Sequence, residues 1–204
     1  MPWPATHILI AEKIFDKHFY HLDRRAFLIG TSFPDIRYPA HVDRDRTHPV
    51  LKTIREMQAQ TPFTAGMSFH SFVDHLWNQT MRANHVQLFS ELPHDRAMIH
   101  AMKVLQDRFL YEKSGNWDQI SHLFQAILTE ERAFGIGVEI LQQWHAMLAH
   151  YLSKPPELSD LEMLKFSLSD ALVDKICQNY ETYGDNQTLY RVSVRFYEQF
   201  DDLI

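Results

Sequence analysis

Within the aromatic stretch Phe63–Trp77, His70 and Asp74 stand four residues apart. On a helix that spacing puts an imidazole and a carboxylate one turn apart on one face. Phe69, Phe72, Val73, Leu76 and Trp77 cover much of the remaining surface, so the helix reads as buried. Burying polar groups without partners is costly, roughly 2–7 kcal/mol for a neutral one. A metal ion is one partner that satisfies both, because zinc accepts neutral His and ionised Asp. A hydrogen bond between the two side chains is the other solution.

Further candidates lie upstream. His7 falls at the start of a helical pattern, with Thr6 placed as its N-cap. Asp35 follows Pro34 in the irregular stretch Gly30–Pro39, where a turn or cap role is the ordinary expectation. His48 sits in a Thr47-His48-Pro49 step at the end of a charged loop. Arg37, Tyr38, Arg44 and Arg46 line that loop between two candidate ligands. Arg37 and Arg44 suit bidentate phosphate binding, and Asp43 and Asp45 offer the alternative of simple neutralisation in solvent.

The elements that must position these residues are helical. Apolar residues recur at helical spacing over 5–20, 23–30 (Asp23 as cap, Gly30 as terminator), 50–58 and 61–82. The pattern continues from Pro93 through Leu110, from 116 or 118 to Leu128, and from Val138 to Leu152, with Gly135 and Gly137 as an interruption. After Pro155-Pro156, Ser159 with Glu162 forms a capping-box signature for a helix reaching about Tyr183. A last helix spans 187–200, and no alternating strand pattern stands out. The expectation is one all-α domain over residues 1–204, of eight or nine helices around a buried metal-binding helix. Residues 157–204 are a possible C-terminal helical subdomain.

Composition bounds the function. The 204 residues suffice for one well-buried core. The net charge of −6 argues against broad nucleic-acid binding or attachment to an anionic membrane. No apolar run is long enough for a transmembrane segment, and no basic-then-apolar leader opens the chain, so a cytoplasmic protein is expected. The single cysteine, Cys177, lies in a helical pattern and reads as a small buried apolar residue.

Taken in order, Thr6-His7-Ile8, Phe27–Gly30 leading to Pro34-Asp35-Ile36, Thr47-His48, and Gly66 followed by His70 and Asp74 resemble the superfamily of bacterial zinc-dependent phospholipase C and single-strand-specific nucleases. The resemblance covers about residues 5–85. It implies an α-helical fold around zinc and hydrolysis of a small-molecule phosphate ester. Carried onto this chain, Asp35, His48, His70 and Asp74 resemble the ligands of one zinc, and His7 a ligand of a second, shared with a carboxylate. Zinc lowers the pKa of its water to roughly 7, and two metals about 3.5–4 Å apart clamp both oxygens of a displacement. Asp35, at the open rim, is the candidate to orient or deprotonate the water.

The chain departs from the family in lacking a later His-x-x-x-Glu pair. His145 and His150 are the only substitutes, and both read more simply as structural. One zinc is therefore expected, with room for two but not three, and another divalent metal is an alternative. Two rival functions remain open: a non-catalytic binding or scaffold protein with a structural metal, and a histidine-aspartate phosphohydrolase built on His94-Asp95. The sequence is silent on oligomeric state.

Overall fold

Proline and side-chain caps set where the helices begin. In the computed structural model, which describes residues 4–161 and 168–204, α1 (Pro4–Ile14) starts on a proline, whose missing N–H is no loss at a helix start. The helix therefore begins before Thr6, and Thr6 lies inside it rather than capping it. Its cap comes from far away in sequence: Asp107 accepts the backbone N–H groups of Ala5 at 3.1 Å and Thr6 at 2.8 Å. The chain then widens into a π-helical turn, Phe15–Phe19, where one continuous α-helix was expected.

Helix α2 (Arg24–Ser32) is capped by Asp23, whose carboxylate accepts the Ala26 N–H at 2.7 Å. Gly30 does not end it. The helix runs on through a 3-10 turn, Phe33–Ile36, into two single-turn helices, α3 (Arg37–Ala40) and α4 (Arg44–Thr47). The stretch read as an irregular loop is thus a chain of short helical turns. The role of Gly30 is close packing. A Cβ there would stand 2.1 Å from the Phe63 carbonyl oxygen, and one on Gly66 would stand 2.1 Å from that of Phe27. The two glycines let α2 and α6 (Pro62–Ala83) cross with their backbones touching. This is the most extensive helix pairing among the described residues.

Between them, α5 (Ile54–Gln58) is shorter than expected because Thr53 and Glu56 form a capping box that fixes its start. After α7 (His85–Phe89), α8 (Arg96–Leu110) begins at the Asp95 cap rather than at Pro93. The expected sixth helix is divided into α9 (Trp117–His122), a 3-10 turn and α10 (Thr129–Arg132). Gly135, at φ +72°, reverses the chain into α11 (Val138–Leu152). Then come α12 (Asp170–Tyr183) and α13 (Gln187–Glu198). The Ser159 cap falls in a 3-10 turn over 158–161, and Glu162 lies outside the described residues. The fold is all-α in a single compact unit, with no strand among the described residues. Among the described residues thirteen α-helical stretches replace the expected eight or nine, because capping residues and single-turn helices subdivide the long patterns.

Helices α12 and α13 pack on α8, and their apolar residues belong to the same core as α1 and α6. No helix among the described residues is long and apolar enough to cross a membrane. Cys177 is half-buried rather than buried.

Candidate metal centre

Helix α6 carries the first two groups. His70 and Asp74 are both buried, as an apolar helix pressed against α2 requires. The Nδ1 of His70 lies 2.9 Å from the Thr31 carbonyl. A carbonyl only accepts, so Nδ1 carries the hydrogen and Nε2 presents its lone pair. That lone pair stands 3.7 Å from Oδ2 of Asp74.

Helix α1 brings His7 against them. Its ring stacks on His70 with centroids 4.0 Å apart and planes 3° from parallel, and its Nε2 lies 3.2 Å from Oδ1 of Asp74. His48, at the end of α4, meets His70 edge-on with centroids at 5.1 Å. The Thr47 hydroxyl donates to the Arg44 carbonyl at 3.3 Å, so it accepts from Nδ1 of His48 at 3.0 Å. The Nε2 of His48 is thereby left with a lone pair as well. Asp35, in the 3-10 turn after α2, completes the set.

Two triads result: His7, His70 and Asp74; and Asp35, His48 and His70. Within each, the ligand-type atoms lie within 4.8 Å of one another. Oδ1 of Asp35 and the Nε2 atoms of His48 and His70 are buried and make no hydrogen bond among the described residues.

The electrostatics sharpen the point. Burial, helped by the neighbouring imidazole, lowers the pKa of His48 to about 4. Burial and His7 lower His70 to about 4 as well. Both are neutral at pH 7. Burial disfavours the charge on Asp74, but His70 and His7 outweigh it and hold its carboxyl well below the usual carboxylate range. The neutral imidazoles of His48 and His70 therefore meet the carboxylate of Asp74 in a buried cluster. Such a set calls for a cation. Ligand atoms around a tetrahedral zinc at roughly 2.0–2.1 Å are about 3.3 Å apart, and the 3.2 and 3.7 Å separations here bracket that value. The donor set fits a divalent metal. Since Nδ1 of His70 is engaged by Thr31, its single free lone pair serves one ion only.

The centre opens to solvent. His48 and Asp74 line a pocket of about 530 Å³ together with Arg44, Ser71, His75 and Asn78. Arg44 is half-exposed and reaches within 3.9 Å of Oδ2 of Asp74. Arg37 takes a different place: its guanidinium lies over the Tyr38 ring, 4.0 Å from the centroid, and it is not among the residues lining this pocket. Arg46 donates to the Phe134 carbonyl at 2.7 Å.

Other residues from the sequence resolve into structural roles. His145 bridges the Phe124 carbonyl at 2.9 Å and Glu131 at 2.7 Å, clamping the α10 segment to α11. His150 contacts Asp160 at 3.2 Å. Asp95 caps α8 and pairs with Lys175 at 2.8 Å, and neither it nor His94 belongs to a metal-type cluster among the described residues.

The positioning residues were not foreseen. Asp107 accepts four donors: the Ala5 and Thr6 N–H groups, the Thr6 hydroxyl at 2.5 Å and the Tyr151 hydroxyl at 3.0 Å. It thus holds the turn that carries His7. The one sequence signal was an acid in a helix whose apolar residues occupy more than one face. Compared with known proteins, the chain matches no family model, no curated protein and no solved structure.

Proposed function

We propose that this protein is a zinc-dependent hydrolase of a small-molecule phosphate ester, related to the zinc phospholipase C and single-strand nuclease superfamily. One observation carries the reading. Five ligand-type side chains from four helical segments converge in two buried triads, and two of them, His48 and Asp74, line an open pocket. A purely structural zinc is normally enclosed by four ligands, whereas a catalytic one keeps a position accessible. The pocket at His48 and Asp74 is what favours catalysis over a scaffold role.

In this reading His48, His70, Asp74 and Asp35 hold the ion, and His7 braces Asp74 or contributes to a second one. When bound, the ion supplies Lewis acidity and lowers the pKa of a bound water to roughly 7. The protein's own groups do the rest. Asp35 is half-buried beside His48 and His70, and its second oxygen is the group to orient or accept a proton from the attacking water. Arg44, at the pocket mouth, offers charge to the phosphate oxygens as the leaving group departs. Thr31 and Thr47 fix the tautomers of His70 and His48, the role outer-shell groups play in metal sites.

The test is elemental analysis of the purified protein together with turnover of bis(p-nitrophenyl) phosphate. One zinc per chain is expected, lost in His70→Ala, with turnover abolished by chelator and restored by zinc. Full metal content in His70→Ala, or turnover that persists in chelator, would overturn the reading.

A further inference from the structure

The face of α6 that bears His70 and Asp74 continues beyond the metal centre. Asn78, four residues after Asp74, lies on the same face. It lines the pocket at the metal centre and also a second groove of about 430 Å³. The two depressions therefore meet at Asn78. Its apolar walls are Trp77 and Met81 from α6, Phe89 from α7, and Ile99 and Met102 from α8, and Arg82, His85, His94 and Lys103 line it beside them. Met102 and Trp77 are almost fully buried, so the floor is rigid core rather than mobile surface.

Lys103 comes from α8. It lines the groove. Burial disfavours its charge, Asp35 and Asp74 favour it, and Arg37 and Arg96 oppose it, so the ammonium lies within electrostatic reach of the candidate ligands. It forms no ion pair among the described residues. On α8 it sits one turn before Asp107, whose contacts fix that helix against the start of α1. A cation that lines the groove, forms no ion pair among the described residues and feels the carboxylates of the metal-type cluster matches a ligand that is anionic at one end and apolar along its length.

We propose that this groove is a subsite for an apolar or aromatic substituent of the phosphate ester, and that Lys103, which lines it, holds a phosphate oxygen. The proposal rests on the metal centre being a phosphate-ester site. An alkyl chain and a nucleobase both satisfy walls of this kind, through burial of apolar area and contact with Trp77 and Phe89. Inorganic phosphate satisfies the lysine alone.

Calorimetric titration of the full chain, with and without zinc, tests it. The probes are inorganic phosphate, octylphosphonate and thymidine 5′-monophosphate. At least one organic anion is expected to bind at least tenfold more tightly than inorganic phosphate, and the alkyl and nucleoside arms identify which substituent the groove takes. Ile99→Glu places a carboxylate in the groove at a position 43% exposed, where the core is not disturbed. It should bring the organic anions down to the affinity of inorganic phosphate measured on the same variant. Lys103→Met should weaken all three by roughly tenfold, the loss of one charge-assisted contact. Equal binding of the three anions by the wild type, or an unchanged preference in Ile99→Glu, overturns the proposal. Ile99→Glu decides even where Lys103→Met fails to fold. Selective binding without ester turnover refutes the hydrolase reading and leaves the groove standing. Turnover without selectivity refutes the groove alone.

Discussion

Gly66→Ala is the sharpest perturbation of the scaffold, because it adds one carbon at the closest approach of α2 and α6. That carbon would stand 2.1 Å from the Phe27 carbonyl oxygen, 2.7 Å from the Thr31 nitrogen and 2.9 Å from the Gly30 carbonyl carbon. All three are backbone atoms, so no side-chain rotation relieves the clash. A relaxed carbon–oxygen contact is roughly 3.3 Å, so the helices must part by about 1.2 Å. The Thr31 carbonyl moves with α2. Its 2.9 Å contact with Nδ1 of His70 then lengthens past hydrogen-bonding range. Overpacking of this kind costs about 1–3 kcal/mol and the lost hydrogen bond about 1 more. Alanine's better helix propensity returns about 1 kcal/mol. The expected net loss is about 1–3 kcal/mol in urea unfolding of the metal-free protein. Loss of the group that orients His70 should also weaken zinc binding by about 10–100-fold in a chelator competition. A variant as stable as the wild type, with unchanged zinc affinity, would refute the interlocking-glycine account.

Asp107→Ala strips four donors of their acceptor, and each buried donor so orphaned costs about 1–3 kcal/mol. Offset by the desolvation of a buried carboxylate, the expected loss is about 3–5 kcal/mol, a fall of roughly 10 °C in Tm. An unchanged melting curve would contradict the capping role. The metal-free protein should also respond to pH. His48 and His70 have folded pKa values near 4, below their ordinary 6.5. Between those values the unfolded chain takes up protons that the native state refuses, so stability falls as pH drops from 6.5 to 4. Asp107 runs the other way: burial pushes its carboxyl up to about 6, and it loses stability as pH rises from about 4 through 6. His100, lowered to about 4 chiefly by burial, acts with the other two histidines, so three groups oppose one and the net effect is a fall in stability on acidification. Unfolding curves at pH 7, 5.5 and 4.5 check this, and the slope should flatten in His48→Gln. A stability that rises on acidification would refute it.

The long helices were legible because their apolar spacing is regular and their ends carry strong signals. Asp23, Pro62 and Gly135 fall where the sequence puts them. The residues that converge at the centre were legible for a different reason, since His and Asp in short motifs stand out from an apolar background. What escaped was long-range. Thr6 looked like a cap until Asp107 supplied one from α8. Gly30 looked like a terminator because a glycine late in a helix usually is, and only the crossing of α6 reveals it as a contact point. Lys103 had no local signal, since the α6 residues that share its groove, Trp77 to Arg82, are more than 20 positions away in sequence.

The tie between Thr6 and Asp107 spans 101 residues. A contact that distant in the chain forms late, after the entropy of closing so large a loop has been overcome. During synthesis the His7 turn cannot be seated until α8 has emerged, although every candidate ligand has been made by residue 74. The nascent chain therefore passes through an interval in which its imidazoles and carboxylates are present but not yet gathered. Any ion captured in that interval would meet loose, unselective donors. Docking of α8 sets the moment from which the finished geometry, rather than the bare sequence of ligands, decides which metal is kept.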